Sequence, residues 1–299
     1  MATPYQCRSH PLAPTAHRPD QAEPLYEKAG TLDLDDQHIR AYALVLSNRR
    51  ESAIRAYKRI LEIRPDDVLA LRRLAAVLIS ERRWDGALDA ANRLIKVPAG
   101  AVVGHTLAGV VHHNARDSEL AVFAFTRVLE LDPELKQMPL TPPSMFWAEY
   151  GHNLLAVGRW AEARKCLNHA REESNDPKIA DLLGQSFFVA EEFDEAERWW
   201  RIALEQDPDR YGTWWRLGKL ELQRGRLADA IKSLRRASEL EPNAAGPLYS
   251  LALIYRRLGQ KEEADRVTHQ LDRLRAGPAT ASHRDDDTSA LDGSGGIAR

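Results

Sequence analysis

The chain has 299 residues, 43% hydrophobic and 29% charged, with a formal net charge of −2. That balance excludes a global electrostatic pull toward nucleic acid or an anionic membrane. Two cysteines exclude a disulfide scaffold, and no apolar run reaches the ~18 residues of a membrane span.

Residues 1–33 carry Pro4, Pro11, Pro14, Pro19 and Pro24, few large apolar residues and no apolar leader. They are predicted to form a disordered proline-rich arm rather than a secretion signal. Cys7 in this arm and Cys166 in a helical segment fit a reducing cytoplasm.

From residue 34 a 34-residue beat sets in. Alanine returns at Ala53, Ala87 and Ala121 and, after a phase shift, at Ala196, Ala230 and Ala264. Small residues at Ala75, Gly109, Gly151, Gly184, Gly218 and Ala252 keep time with it, as do Pro65, Pro133, Pro208 and Pro242. A period of this length marks a repeat array, in which each unit buries its apolar face on its neighbours. Seven units follow: three over 34–135 and four over 144–278. In the sixth, Trp214, Leu217 and Leu220 share one helical face, and beyond Gly225 so do Leu227, Ala230, Ile231, Leu234 and Ala237. Each unit is therefore predicted to be two amphipathic helices joined by a short turn, about fourteen helices in all and no strands. The prolines are expected to stop the preceding helix and to open the following unit, where a missing N–H costs least.

Between the third and fourth units, residues 136–143 (KQMPLTPP) fall outside the period. Pro139, Pro142 and Pro143 forbid a helix there. This insertion is predicted to be a loop that loosens the stack into three plus four units, with a P-x-x-P polyproline ligand as the competing reading. Residues 279–299 are rich in Ser, Gly, Asp and Thr and read as a disordered tail. The His283-Arg284-Asp285 triplet in it imitates a kinase fragment without any of the accompanying motifs.

The sixth unit, with Trp214, Leu217, Gly218, Ala230, Leu234, Ala237 and Pro242, resembles the tetratricopeptide repeat (TPR) family. So does the fifth, with Leu183, Gly184, Phe187, Phe193, Ala196, Trp200, Ala203 and Pro208. The resemblance covers about 34–278 and implies an all-α fold, an α-solenoid of antiparallel helix pairs wound into a right-handed superhelix. It implies a non-catalytic scaffold or adaptor that binds a peptide or helix in a concave groove lined by the first helix of each unit. The residues so implied are Gln185, Phe188, Trp215, Lys219, Tyr249 and Arg256, where aromatics anchor and cations meet a carboxylate. The carboxylate clamp of chaperone-binding repeats is not reproduced.

Trp200 and Trp214 fall at packing positions, while Trp199 and Trp215 lie off the stripe, as rim packing or as exposed anchors. His105, His112 and His113 lack the i, i+4 spacing and carboxylates of a metal site. No nucleotide-binding or nucleophile motif occurs, so no catalytic residue, cofactor or metal is assigned. An accessory subunit that recruits substrate for an enzyme complex is the alternative role. RNA binding is disfavoured, because the lining residues do not repeat polar pairs. The polar outer face of the seventh unit reads as a cap, and hence as a monomer.

Overall fold

A computed structural model of the protein describes residues 33–137 and 142–276. The expected arm (apart from Asp33), residues 138–141 of the insertion, including Pro139 of the P-x-x-P reading, and the expected tail lie outside the described residues. Fourteen α-helices and no strand occur among the described residues. They are α1 (Leu34–Leu46), α2 (Arg50–Ile63), α3 (Val68–Ser80), α4 (Trp84–Ile95), α5 (Ala101–Asn114), α6 (Ser118–Leu131), α7 (Pro143–Ala156), α8 (Trp160–Glu173), α9 (Pro177–Val189), α10 (Phe193–Gln206), α11 (Tyr211–Gln223), α12 (Leu227–Leu240), α13 (Ala245–Arg257) and α14 (Lys261–Ala276). Odd helices pair with the even helix that follows, giving seven antiparallel hairpins. The helices fall into two compact units: α1–α10, up to Asp207, and α11–α14, from Pro208.

The small residue in each odd helix is what lets its partner in. A Cβ on Gly109, Gly151, Gly184 or Gly218 would come within 2.5, 2.8, 2.4 and 2.7 Å of Phe125, Leu167, Trp200 and Leu234 respectively. No real side chain tolerates such distances, so each pair of helices meets along this one line. Trp200 is 1% exposed, and its indole N–H donates to the Asp181 carbonyl at 3.2 Å. The large ring is thus buried with its polar edge satisfied.

The turn inside every hairpin is the same. Its left-handed residue is Asn48, Arg82, Arg116, Gly158, Glu191, Gly225 or Gly259, and the next N–H reaches back five residues, as from Asp117 to His112 O and from Arg159 to Leu154 O, both 2.9 Å. This is a Schellman closure, which satisfies carbonyls that a helix end leaves orphaned. Glycine fills three of the seven positions at no steric cost; Arg82, Arg116 and Glu191 hold it against the Cβ penalty.

Between hairpins the prolines do one of the two things expected of them. Pro65, Pro133, Pro208 and Pro242 lie outside the helices, and the residues before them, Arg64, Asp132, Asp207 and Glu241, are extended, with φ between −132 and −143°. Proline forbids the helical conformation to its predecessor, so it stops the outgoing helix as expected, but it does not open the next. The prolines that do open an α-helix, at its first position, are Pro143 and Pro177.

The insertion does not open the stack. Phe125 meets Phe146 edge-on at 5.3 Å, Thr126 and Tyr150 share a hydrogen bond of 3.0 Å, and Leu135 is buried in the same cluster. Aromatic packing from α7 onto α6 therefore bridges the extra residues. The two compact units meet after the fifth hairpin.

Two substitutions test these constraints by denaturant unfolding. Arg116→Gly is expected to raise stability by roughly 0.5–1 kcal/mol, because glycine accepts the left-handed turn. Gly184→Ala is expected to lower it by about 1–3 kcal/mol through overpacking against Trp200. Equal midpoints for Gly184→Ala and the parent would contradict the close-approach assignment.

Candidate functional site

The six residues singled out in the sequence divide between the two compact units. Gln185 and Phe188 sit on α9 in the first. Gln185 donates to Asp181 at 3.1 Å, and the Phe188 ring lies 5.6 Å from both Phe193 and Trp200. Both are occupied within their own hairpin, and Phe188 is half-buried.

The other four lie in the second unit. Trp215 on α11 is not an open anchor: Gly246 of α13 packs so close that a Cβ there would stand 2.7 Å from the indole. Tyr211 stacks on its other side at 6.2 Å and 14°, and the Lys219 ammonium sits 5.4 Å from its ring centroid. Trp199 is likewise half-buried, packed beside Leu167, Ala170 and Ile179.

Tyr249 and Arg256 on α13 come together with Leu253 in a groove of about 480 Å³ between α13 and α14. Register explains why it is open. Tyr249 stands 34 residues after Trp215, but no further helix among the described residues supplies a counterpart of Gly246. Tyr249 is consequently 54% exposed and Leu253 60% exposed, with buried Leu271 and Ala252 beneath them. Arg275 donates to the Tyr249 hydroxyl, and its guanidinium also lies 3.9 Å from Asp272. Among the described residues Arg256 donates only to the Thr268 hydroxyl, at 3.3 Å. The groove therefore offers an apolar floor between two guanidiniums, with Asp272 the one carboxylate among its lining residues. Arg275 was not legible as a site residue, because it lies on a second helix, outside the first-helix stripe that carries the resemblance.

A polar cluster in the first unit also escaped sequence reading. The Asn153 amide donates to the Glu149 carbonyl at 2.7 Å and lies 2.9 Å from His113 Nδ1, and the His113 and His152 rings meet edge-on at 5.1 Å. Burial lowers the His113 pKa, so the ring accepts this bond in its neutral form. Glu149 is 6% exposed; burial raises its pKa, with Lys178 pulling the other way. Among the described residues no group of three His, Cys, Asp or Glu gathers as metal ligands, and no helix is long and apolar enough to cross a membrane. Burial pushes the Cys166 thiol up to about 12, which leaves it protonated and unreactive.

Comparison with known proteins agrees with the hairpin register. A family model described as a tetratricopeptide repeat matches residues 40–101, 151–211, 182–245 and 216–264. Protein CTR9 homolog of Arabidopsis thaliana is 22% identical over 280 residues, covering 80% of this chain and 26% of its own length. The peroxisomal targeting signal receptor of Eremothecium gossypii is 25% identical over 230 residues, covering 77% of this chain and 33% of its own. The chain thus spans a third or less of these relatives. Among solved structures, YrrB, described as a TPR protein with an unusual peptide-binding site, superposes with a TM-score of 0.54 at 19% identity over 65% of this chain and 97% of that one.

The raised pKa of Glu149 has a stability consequence. The folded state holds the proton more tightly than the unfolded chain, so this group's contribution is fully present below its unfolded pKa, about 4.3, and is lost as pH rises through the folded value. Glu149→Gln is expected to be more stable than the parent at pH 7, with the two curves converging as pH falls toward ~4. Parallel curves across that range would show that the carboxylate is not desolvated.

Proposed function

The chain belongs to the tetratricopeptide repeat family, and on that premise we propose that it is a non-catalytic interaction scaffold whose second unit binds an acidic, apolar peptide or helix. The observation that carries this is the α13–α14 groove. Tyr249 and Leu253 expose side chains that a soluble repeat has reason to cover. Arg256 has no carboxylate partner among the described residues, and a planar guanidinium is the group best suited to capture one. Lys219, held over Trp215 rather than against an acid, adds to the positive field of the same unit. Trp215 packs against Gly246 and Tyr211, and Gln185 and Phe188 pack within the first unit.

The names of the relatives accord with such a role. One is a targeting-signal receptor, and the fold neighbour is described by its peptide-binding site.

Selection from a random peptide library displayed on phage tests the proposal. Bound peptides are expected to pair Asp or Glu with Leu, Phe or Met. Loss of a charge-assisted hydrogen bond is worth about 1.5–3 kcal/mol, so Arg256→Glu should weaken the selected peptides by roughly tenfold to a hundredfold. Leu253→Asp should weaken them comparably. A consensus without acidic residues, or binding indifferent to both substitutions, would sink the assignment.

A further inference from the structure

First helices of consecutive hairpins touch at a constant spacing. The Arg73 guanidinium lies over the Tyr42 ring at 4.3 Å, 31 positions on. Gly246 lies against Trp215, again 31 positions on. The His113 and His152 rings meet at 5.1 Å, 39 positions apart, the same spacing once the eight residues of 136–143 are set aside. Tyr42, Trp215 and His113 occupy three different places along the first helix, and α13 fills those places with Leu253, Tyr249 and Arg256. All three line the open α13–α14 groove.

The same spacing carried on from α13 reaches residues that follow α14: Thr280 for Tyr249, Arg284 for Leu253 and Asp287 for Arg256. Each suits the side chain it would meet. Tyr249 calls for a small neighbour, as Trp215 has in Gly246, and Thr280 stands in the run of small residues Ala279–Ser282. Leu253 would meet the aliphatic stem of Arg284, the residue type that Arg73 already lays over the equivalent Tyr42. Arg256, with no carboxylate partner among the described residues, would meet Asp287. Positions 280, 284 and 287 also share one face at helical spacing. Gly277, Pro278 and Ala279 leave a link as long as Ser174–Asp176, which joins α8 to α9.

We propose that residues 280–287 dock along α13 in the place that the first helix of an eighth hairpin would take, and so close the groove from within the chain. The segment is then a built-in competitor of the acidic, apolar peptide proposed above. That competition rests on the peptide reading; the docking rests on the spacing and on the match of Asp287 to Arg256.

Hydrogen exchange of the full chain, read by mass spectrometry over residues 280–290, tests the docking. The parent is expected to exchange there at least about tenfold more slowly than a free peptide of the same sequence. Asp287→Arg and Arg256→Glu should each bring the segment to the free-peptide rate, with exchange in α1–α12 unchanged. The combined variant re-forms the pair with its charges reversed and should restore protection. A groove closed about nine-tenths of the time withholds itself from peptides about tenfold, so Asp287→Arg should tighten the phage-selected peptides by that factor. Arg256→Glu weakens them, so the two singles move peptide affinity in opposite directions while releasing the segment alike. A parent segment exchanging at the free-peptide rate, or a combined variant no more protected than its singles, would overturn the docking and leave the peptide reading standing. Peptide affinity unchanged in Asp287→Arg, with the segment released, would overturn the competition. A protected segment in a chain whose variants select no peptide would uphold the docking and overturn the peptide reading.

Discussion

Everything in this molecule depends on one contact repeated along the chain: a residue with little or no side chain in the first helix of each hairpin, pressed against a bulky residue in the second. At Gly184 the space that a methyl group would need belongs to Trp200. Because only that stripe admits close approach, the contact fixes the rotation of both helices about their own axes. Which side chains face the core, the next hairpin or solvent then follows. The groove residues on α13 are where they are because of it.

Much of this was legible in the sequence, since a repeat states its packing rule several times over. Small residues at a fixed offset and prolines after leucine-rich segments were enough to count seven hairpins. The turns were less legible. Only Gly158, Gly225 and Gly259 advertise the left-handed position, while Arg82, Arg116 and Glu191 adopt it because the flanking helices over-determine the geometry. The contact across the insertion was not legible either: extra residues suggest slack, but Phe146 and Tyr150 still meet Phe125 across them.

The site was half legible. Stripe position identified Tyr249 and Arg256 but treated Trp215 as their equal, although Gly246 on the following helix covers it. Exposure of a groove residue depends on whether another hairpin follows, which is a property of the array and not of the residue. The exposed charges have a comparable explanation. Most exposed charges pair within a helix, as Arg159 does with Glu162, or bridge hairpins, as Arg83 does with Glu51. Such pairs contribute little to stability. The informative positions are those that break the repeat's own rule, such as a leucine where the preceding hairpin has a lysine.

The close contact within hairpins also has a mechanical meaning. Helices locked at a glycine cannot slide past one another without collision, whereas most successive hairpins meet less extensively, the second and third, joined at Gly104, excepted. Under tension each compact unit should behave as stiff links joined by softer seams, yielding one hairpin at a time. Each event would release about 34 residues, or roughly 12 nm of extended chain. Compliance of that kind lets a scaffold stretch to accommodate a partner while the shape of each individual hairpin stays unchanged.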